Sequence, residues 1–97
     1  MPKGYWIAHV HVHDGERYKS YLAEAAPAYK EHGVKFIVRG GKYEDVWGSG
    51  LGERHVVFEF ETIEKARACW NSPVYQKAKL HREAAATGNI IIVEGAA

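Results

Sequence analysis

The sequence is short of cysteine, of long apolar runs and of excess charge, and each shortage excludes a class of protein. Its one cysteine, Cys69, excludes an internal disulfide and a zinc cluster built from several cysteines. No run approaches the roughly 18 apolar residues of a membrane-spanning helix. Thirteen Lys and Arg against twelve Asp and Glu leave a net charge of +1, too little to grip a nucleic-acid backbone or an anionic membrane. We therefore expect neither nucleic acid nor membrane as a partner.

No targeting segment is expected at the start of the chain. The letters MPKGYW lead directly into strand-like residues, without the apolar segment and small-residue cleavage site of a secretory signal. Together with the single cysteine, this start predicts a cytoplasmic location. With 97 residues, 46% of them hydrophobic, residues 1–97 are expected to form a single domain with one sheet and one helical layer.

Four segments rich in aromatic and β-branched residues predict strands. They cover residues 4–12, 34–40, 53–60 and 89–95. Residues 41–50 are interpreted as a continuation of the second strand or as a hairpin arm after the pair Gly40-Gly41, with a loose tip at Gly48 to Gly52.

The first helix is predicted over residues 15–32, with Asp14 as its N-cap and Gly33 as its C-terminal cap. Pro27 lies inside this pattern and should kink the helix or restart it.

A second helix should begin after Thr62, restart at Ser72 and Pro73, and stop at Gly88. The resulting order, β-α-β-β-α-β, predicts an α+β protein with the ferredoxin-like split βαβ arrangement, in which an antiparallel sheet carries two helices on one face.

The strands each combine one apolar face with one mixed face, because successive side chains point to opposite sides. On the first strand the apolar set is Trp6, Ala8, Val10 and Val12, and the mixed set is Tyr5, Ile7, His9, His11 and His13. The same parity assigns Lys35, Ile37, Arg39, His55, Val57 and Glu59 to the mixed face. Such a face is too apolar to stay in water. We therefore expect a second copy to cover it, giving a homodimer with a ligand cavity between the two sheets.

The chain resembles the family of small bacterial proteins described as domain of unknown function 1330. The resemblance rests on GYWIAHV, KFIVRGG, VVFEF with the following EKARACWNSPVYQKAKLHR, and the closing IIIVEG, and it covers nearly the full length. It implies a dimeric α+β barrel, an architecture shared with cofactor-free monooxygenases, haem enzymes and isomerases, and it implies no established reaction. The positions that match the family pattern are Arg39, Gly40, Gly41, Glu59, Tyr75 and Arg82, whereas His11 and His13 are less typical of it.

The leading hypothesis is a small organic ligand bound between the two sheets, with cofactor-independent acid–base or oxygen chemistry left open. His9 and Glu59 are the catalytic candidates, as proton acceptor and as orienting group. Ligand contacts are predicted for His11, Tyr5, Tyr43 and Arg39, the last as an anion clamp. No cofactor is expected.

Other interpretations of the same residues stay open. Arg39 and Glu59 could only neutralise each other at the interface, in a non-catalytic sensor or structural dimer. His9 and His11 could share a metal, although a third ligand would be needed; no metal site is assigned. The stem of Arg82 is expected to pack on apolar neighbours. Cys69 is expected to be buried and unreactive.

Overall fold

The structure, a computed structural model, describes residues 2–97. In chain order it contains β1 (Gly4–Val12), α1 (Gly15–Glu31), β2 (Lys35–Arg39), β3 (Arg54–Phe60), α2 (Ile63–Asn71), α3 (Pro73–Ala85) and β4 (Ala86–Glu94). The sheet order is β2-β3-β1-β4 and each neighbouring pair is antiparallel. This is the predicted ferredoxin-like α+β fold. The element order differs from β-α-β-β-α-β in one respect, because the second helix is divided into α2 and α3.

Side-chain caps fix the starts of the helices where the sequence predicts them. The carboxylate of Asp14 accepts a hydrogen bond from the backbone N–H of Arg17 at 3.1 Å, and Thr62 caps α2 in the same way. Ser72 caps α3, whose first residue is Pro73. Proline is suited to this first position since its missing N–H would have no helical partner there.

Helix α1 is continuous through Pro27, so of the predicted kink or restart the restart does not occur. Two further predictions about local structure are wrong. Helix α3 ends at Ala85, and Gly88 lies inside β4 with φ 147°, where an added Cβ would collide with the carbonyl oxygen of His9. Residues 41–50 form neither a strand continuation nor a hairpin arm but part of an exposed irregular loop.

The core lies between the helices and one face of the sheet. Trp6, Ala8 and Val10 of β1 are buried there, as their parity predicts. The Trp6 indole donates a hydrogen bond to the carbonyl of Ala66 in α2 at 3.0 Å and packs with Phe58 at 5.0 Å between ring centroids. All helices therefore cover the same face. Among the helices of residues 2–97, none has the combination of length and hydropathy that a bilayer-spanning segment requires.

Candidate functional site

The sheet face opposite the helices has no covering element, and we call it the uncovered face. Its residues on β1 are Tyr5, Ile7, His9 and His11, as predicted, and its residues on β3 are His55, Val57 and Glu59. The strand register aligns Ile91, Ile7, Val57 and Val38 in one aliphatic row across all four strands. At its ends Ile91 is 53% exposed and Val38 is 41% exposed. A continuous apolar row of this kind is typical of interaction surfaces.

A pair of histidines lies beside this row. His9 and His55 are directly opposite each other on β1 and β3, and their Nδ1 atoms are 2.8 Å apart. One ring must therefore donate a proton and the other accept it. The ring of Tyr43 packs against His55 at 4.6 Å, while Nε2 of His55 is buried without a hydrogen-bond partner.

The other predicted residues of the uncovered face form separate contacts. The hydroxyl of Tyr5 donates to Glu59 at 3.0 Å, and this hydrogen bond raises the pKa of Tyr5. His11 is exposed and lies 2.8 Å from the carboxylate of Glu53. His9 is four residues from Tyr5, the strand partner of Glu59, or roughly 13 Å along β1. The two catalytic candidates are therefore not brought together. Across residues 2–97 no group of three or more His, Cys, Asp or Glu side chains is placed to hold a metal ion.

Arg39 lies on the opposite face from the one predicted. The register between β2 and β3 shifts after Phe36, so that Val38 pairs with Val57 and Arg39 pairs with Val56. This bulge at Ile37 inserts one residue and reverses the parity of the residues after it. Val56 faces the helices, and Arg39 therefore faces them too, away from Glu59. The predicted pairing of Arg39 with Glu59 is wrong for this reason.

Arg39 lines a cavity that we call the helix–sheet cleft, enclosed by the sheet, α1 and α3. Its apolar walls are formed by Ala8, Val10, Leu22, Phe36, Val56, Phe58 and Ile90. Its polar lining consists of Tyr18, Tyr21, Tyr29, Arg39, Arg54 and Arg82. The space totals about 360 Å³ including its opening, but the free space inside it holds only about one water. A larger occupant requires some lining side chains to move.

The three cleft arginines come from three different elements and rest on aromatic rings. The Cζ atom of Arg39 is 4.0 Å from the centroid of Phe36. Those of Arg54 and Arg82 are 5.6 Å from the centroids of Tyr18 and Tyr21 respectively. None of the ion pairs formed within residues 2–97 includes an arginine. The cleft therefore concentrates three cations without a carboxylate to balance them.

A buried hydrogen-bond network connects three tyrosines beside the arginines. The hydroxyl of Tyr21 lies 3.0 Å from that of Tyr29 and 2.9 Å from that of Tyr75. Burial raises the pKa of all three hydroxyls, so they are protonated at neutral pH. Burial alone would lower the pKa of Arg82, but the oxygens of Tyr75 and Tyr21 outweigh it and the pKa is raised. Every ionisable group of this cluster is therefore a hydrogen-bond donor.

The sequence reasoning missed Arg54, although a signal was present. Arg54 has the same parity as Val56, Phe58 and Phe60 along β3 and must therefore face the helices with them. Arg82 also lines the cleft, and its guanidinium lies over the rings of Tyr21 and Trp70. Tyr75, by contrast, belongs to the core and lies behind the cleft, where it contacts the lining residues Tyr21, Tyr29 and Arg82.

Solved structures with this fold carry several different descriptions. A protein of unknown function from Rhodopseudomonas palustris, RPA0582, has a TM-score of 0.82 at 17% identity, covering 99% of this chain and 84% of its own. SnoaB, described as a cofactor-independent oxygenase from Streptomyces nogalater, has a TM-score of 0.65 at 12% identity over 100% and 96% of the two chains. A dimeric ferredoxin-like protein of unknown function from Thermobifida fusca has a TM-score of 0.61 at 14% identity over 99% and 92%. At these identities the likeness extends to the fold alone.

Sequence comparison gives the family. No protein of curated function matches the chain. Residues 3–96 match the family described as Domain of unknown function (DUF1330). Since the match spans nearly the whole chain, the protein belongs to this family.

Proposed function

We propose that the protein is a homodimer, paired through its uncovered face, in which each copy binds a small organic molecule in its helix–sheet cleft. The aliphatic row Ile91, Ile7, Val57 and Val38 supports the pairing, because sheets stack when their apolar faces cover each other. The buried, unpartnered Nε2 of His55 lies on the same face and would find a partner or an ordered water there.

The observation that carries the ligand site is the composition of the helix–sheet cleft. Ligand pockets are mostly apolar, with a small number of polar groups that orient the ligand, and the cleft combines apolar walls with three tyrosines and three arginines. The uncovered face, which the sequence predicts to hold the ligand, has the composition of an interface instead. We therefore locate the ligand on the helix side of the sheet.

We assign His9 and Glu59 to the interface between copies, where their hydrogen bonds to His55 and Tyr5 fix the geometry of pairing. They could act as acid and base only on a molecule held between the two sheets. In the cleft itself the ionisable groups are donors, which bind and polarise a ligand but do not remove its protons. Ligand binding is therefore the proposed function. Because SnoaB is described as a cofactor-independent oxygenase, oxygen uptake is the first reaction to assay. We also propose that the protein is located in the cytoplasm.

Filling the cleft tests the ligand site. Leu22 lines the cleft from α1, whereas its neighbour Ala23 is exposed on the same helix. With 2-naphthol as a neutral aromatic probe, we expect saturable binding by ligand-observed NMR that is lost in Leu22→Trp and kept in Ala23→Trp. Native mass spectrometry should find dimers in both variants. Equal binding by both variants, with both folded by circular dichroism, would remove the ligand from the cleft.

A further inference from the structure

We propose that the helix–sheet cleft is a binding site for organic carboxylates with a flat apolar body, anchored by Arg54 and Arg82. This inference rests on the proposed ligand site in the cleft and adds the chemical class of the ligand. Its basis is a set of buried hydrogen-bond donors in the cleft that have no acceptor in the protein.

Two of these donors without an acceptor are arginine nitrogens. The Nε atoms of Arg54 and Arg82 are both buried without a hydrogen-bond partner, and both side chains line the same cavity. A buried donor without an acceptor costs about 1–3 kcal/mol, and more when it is charged. Two such donors from β3 and α3 in one cavity indicate that an acceptor is bound there in the working state of the protein.

The tyrosine network supplies one more donor. Tyr21, Tyr29 and Tyr75 have three hydroxyl hydrogens, but the two hydrogen bonds among them use only two. Arg82 is a further donor to the oxygens of Tyr75 and Tyr21, so it uses none of the hydroxyl hydrogens. When Tyr75 donates to Tyr21 and Tyr21 donates to Tyr29, the remaining hydrogen lies on Tyr29, which lines the cleft, and it is available to an oxygen bound beside the arginines.

The charge and shape of the cleft favour a carboxylate over other acceptors. An anion would offset part of the charge of the three guanidinium groups, which form no ion pairs within residues 2–97. The planar fork of arginine matches the two oxygens of a carboxylate. Either ligand requires lining side chains to move. A phosphate is bulkier and more strongly hydrated than a carboxylate, so it costs more to bury among the apolar walls. The apolar walls around Val56 and Phe58 would hold a ring or a branched hydrocarbon.

The route into the cleft passes Arg39. This side chain is exposed, and residues 40–53 that come after it form an exposed glycine-rich loop leading to Arg54. Arg39 can therefore swing outward without disturbing the core, and it would close over the bound carboxylate as the third cation.

The test compares molecules of one shape and different charge. We expect the protein to bind 2-naphthoate at least about tenfold more tightly than 2-naphthamide, measured by calorimetry and ligand-observed NMR. Arg54→Gln and Arg82→Gln should each weaken the binding of 2-naphthoate by more than that of 2-naphthamide, and so reduce this preference. Arg54→Lys should keep part of the preference, because the charge remains but the fork is lost. Arg67→Gln, which removes an exposed arginine of α2, should keep the full preference.

The outcomes separate this inference from the proposed function. If naphthoate and naphthamide bind equally well, the cleft still binds small molecules but the carboxylate inference is overturned. Tighter binding of 2-naphthyl phosphate than of 2-naphthoate would also overturn it. If neither 2-naphthoate nor benzoate binds, and 2-naphthol fails as well, both proposals fail. If the glutamine variants melt at a lower temperature but keep the preference for 2-naphthoate, the arginines only pack on the aromatic rings and the carboxylate inference is overturned.

Discussion

Replacing Ile91 by aspartate tests the proposed pairing through the uncovered face. Ile91 lies at one end of the aliphatic row and is 53% exposed in the single chain. Full burial of an isoleucine side chain contributes about 1.5–3 kcal/mol, so covering the exposed half contributes about 1 kcal/mol. A two-fold interface contains the residue twice, which gives about 2 kcal/mol per dimer. Loss of this burial alone raises the dissociation constant about 30-fold.

The aspartate adds the cost of removing two carboxylates from water, which is several kcal/mol unless they are paired. We therefore expect Ile91→Asp to weaken the dimer by at least about 100-fold, measured by analytical ultracentrifugation over a range of concentrations. Leu80→Asp is the matched control, because Leu80 is 56% exposed on α3, on the helix side of the molecule. It should leave the dimer unchanged. A dimer that survives Ile91→Asp but dissociates in Leu80→Asp would refute the proposed interface.

Three further predictions concern stability and reactivity. Tyr21→Phe should lower the free energy of unfolding by about 2 kcal/mol, since it leaves buried hydroxyls unpaired; urea denaturation measures this, and Tyr18→Phe, outside the network, should change it little. Cys69 is fully buried and its pKa is raised to about 12 by burial, so a disulfide reagent should modify it only at the rate of unfolding; fast modification of the folded protein would contradict this. The hydrogen bonds from the Val12 N–H and His11 hold the pKa of Glu53 below its ordinary 4.5. The contribution of Glu53 to the free energy of unfolding is therefore present above pH 4.5 and is lost as the pH falls through the folded-state pKa. Glu53→Gln should accordingly be less stable than the parent at pH 7, and the difference should shrink as the pH falls below 4.5, in thermal melts; a difference that stays constant at acid pH would contradict the assignment.

The fold was predictable because several local signals agree. On β1 every second residue is apolar from Trp6 to Val12, so the parity alone identifies the face that meets the helices. Asp14, Thr62 and Ser72 are capping residues at the positions where the helical patterns begin, and the structure confirms each of them. Such signals depend only on neighbours in the chain.

The site was less predictable because it depends on a bulge and on long-range packing. Nothing in the letters KFIVRG indicates that Ile37 is an inserted residue, yet this residue moves Arg39 from one face of the sheet to the other. Gly88 has the appearance of a helix stop, but its position reflects the close approach of β1 at His9. Strand parity alone predicts that Arg54 faces the helices. That Arg54 and Arg82 line the same cavity depends on how α3 packs on the sheet, which the sequence pattern does not show.

The most direct test of the central claim is the location of a bound carboxylate by intermolecular NOEs. Neighbouring residues on two strands report the two faces of the sheet: Val56 and Ile90 line the helix–sheet cleft, while Val57 and Ile91 lie on the uncovered face. With methyl-labelled protein and 2-naphthoate, we predict NOEs from the naphthalene protons to the methyl groups of Val56 and Ile90. NOEs to Val57 and Ile91 instead would place the ligand between the two sheets and contradict the account.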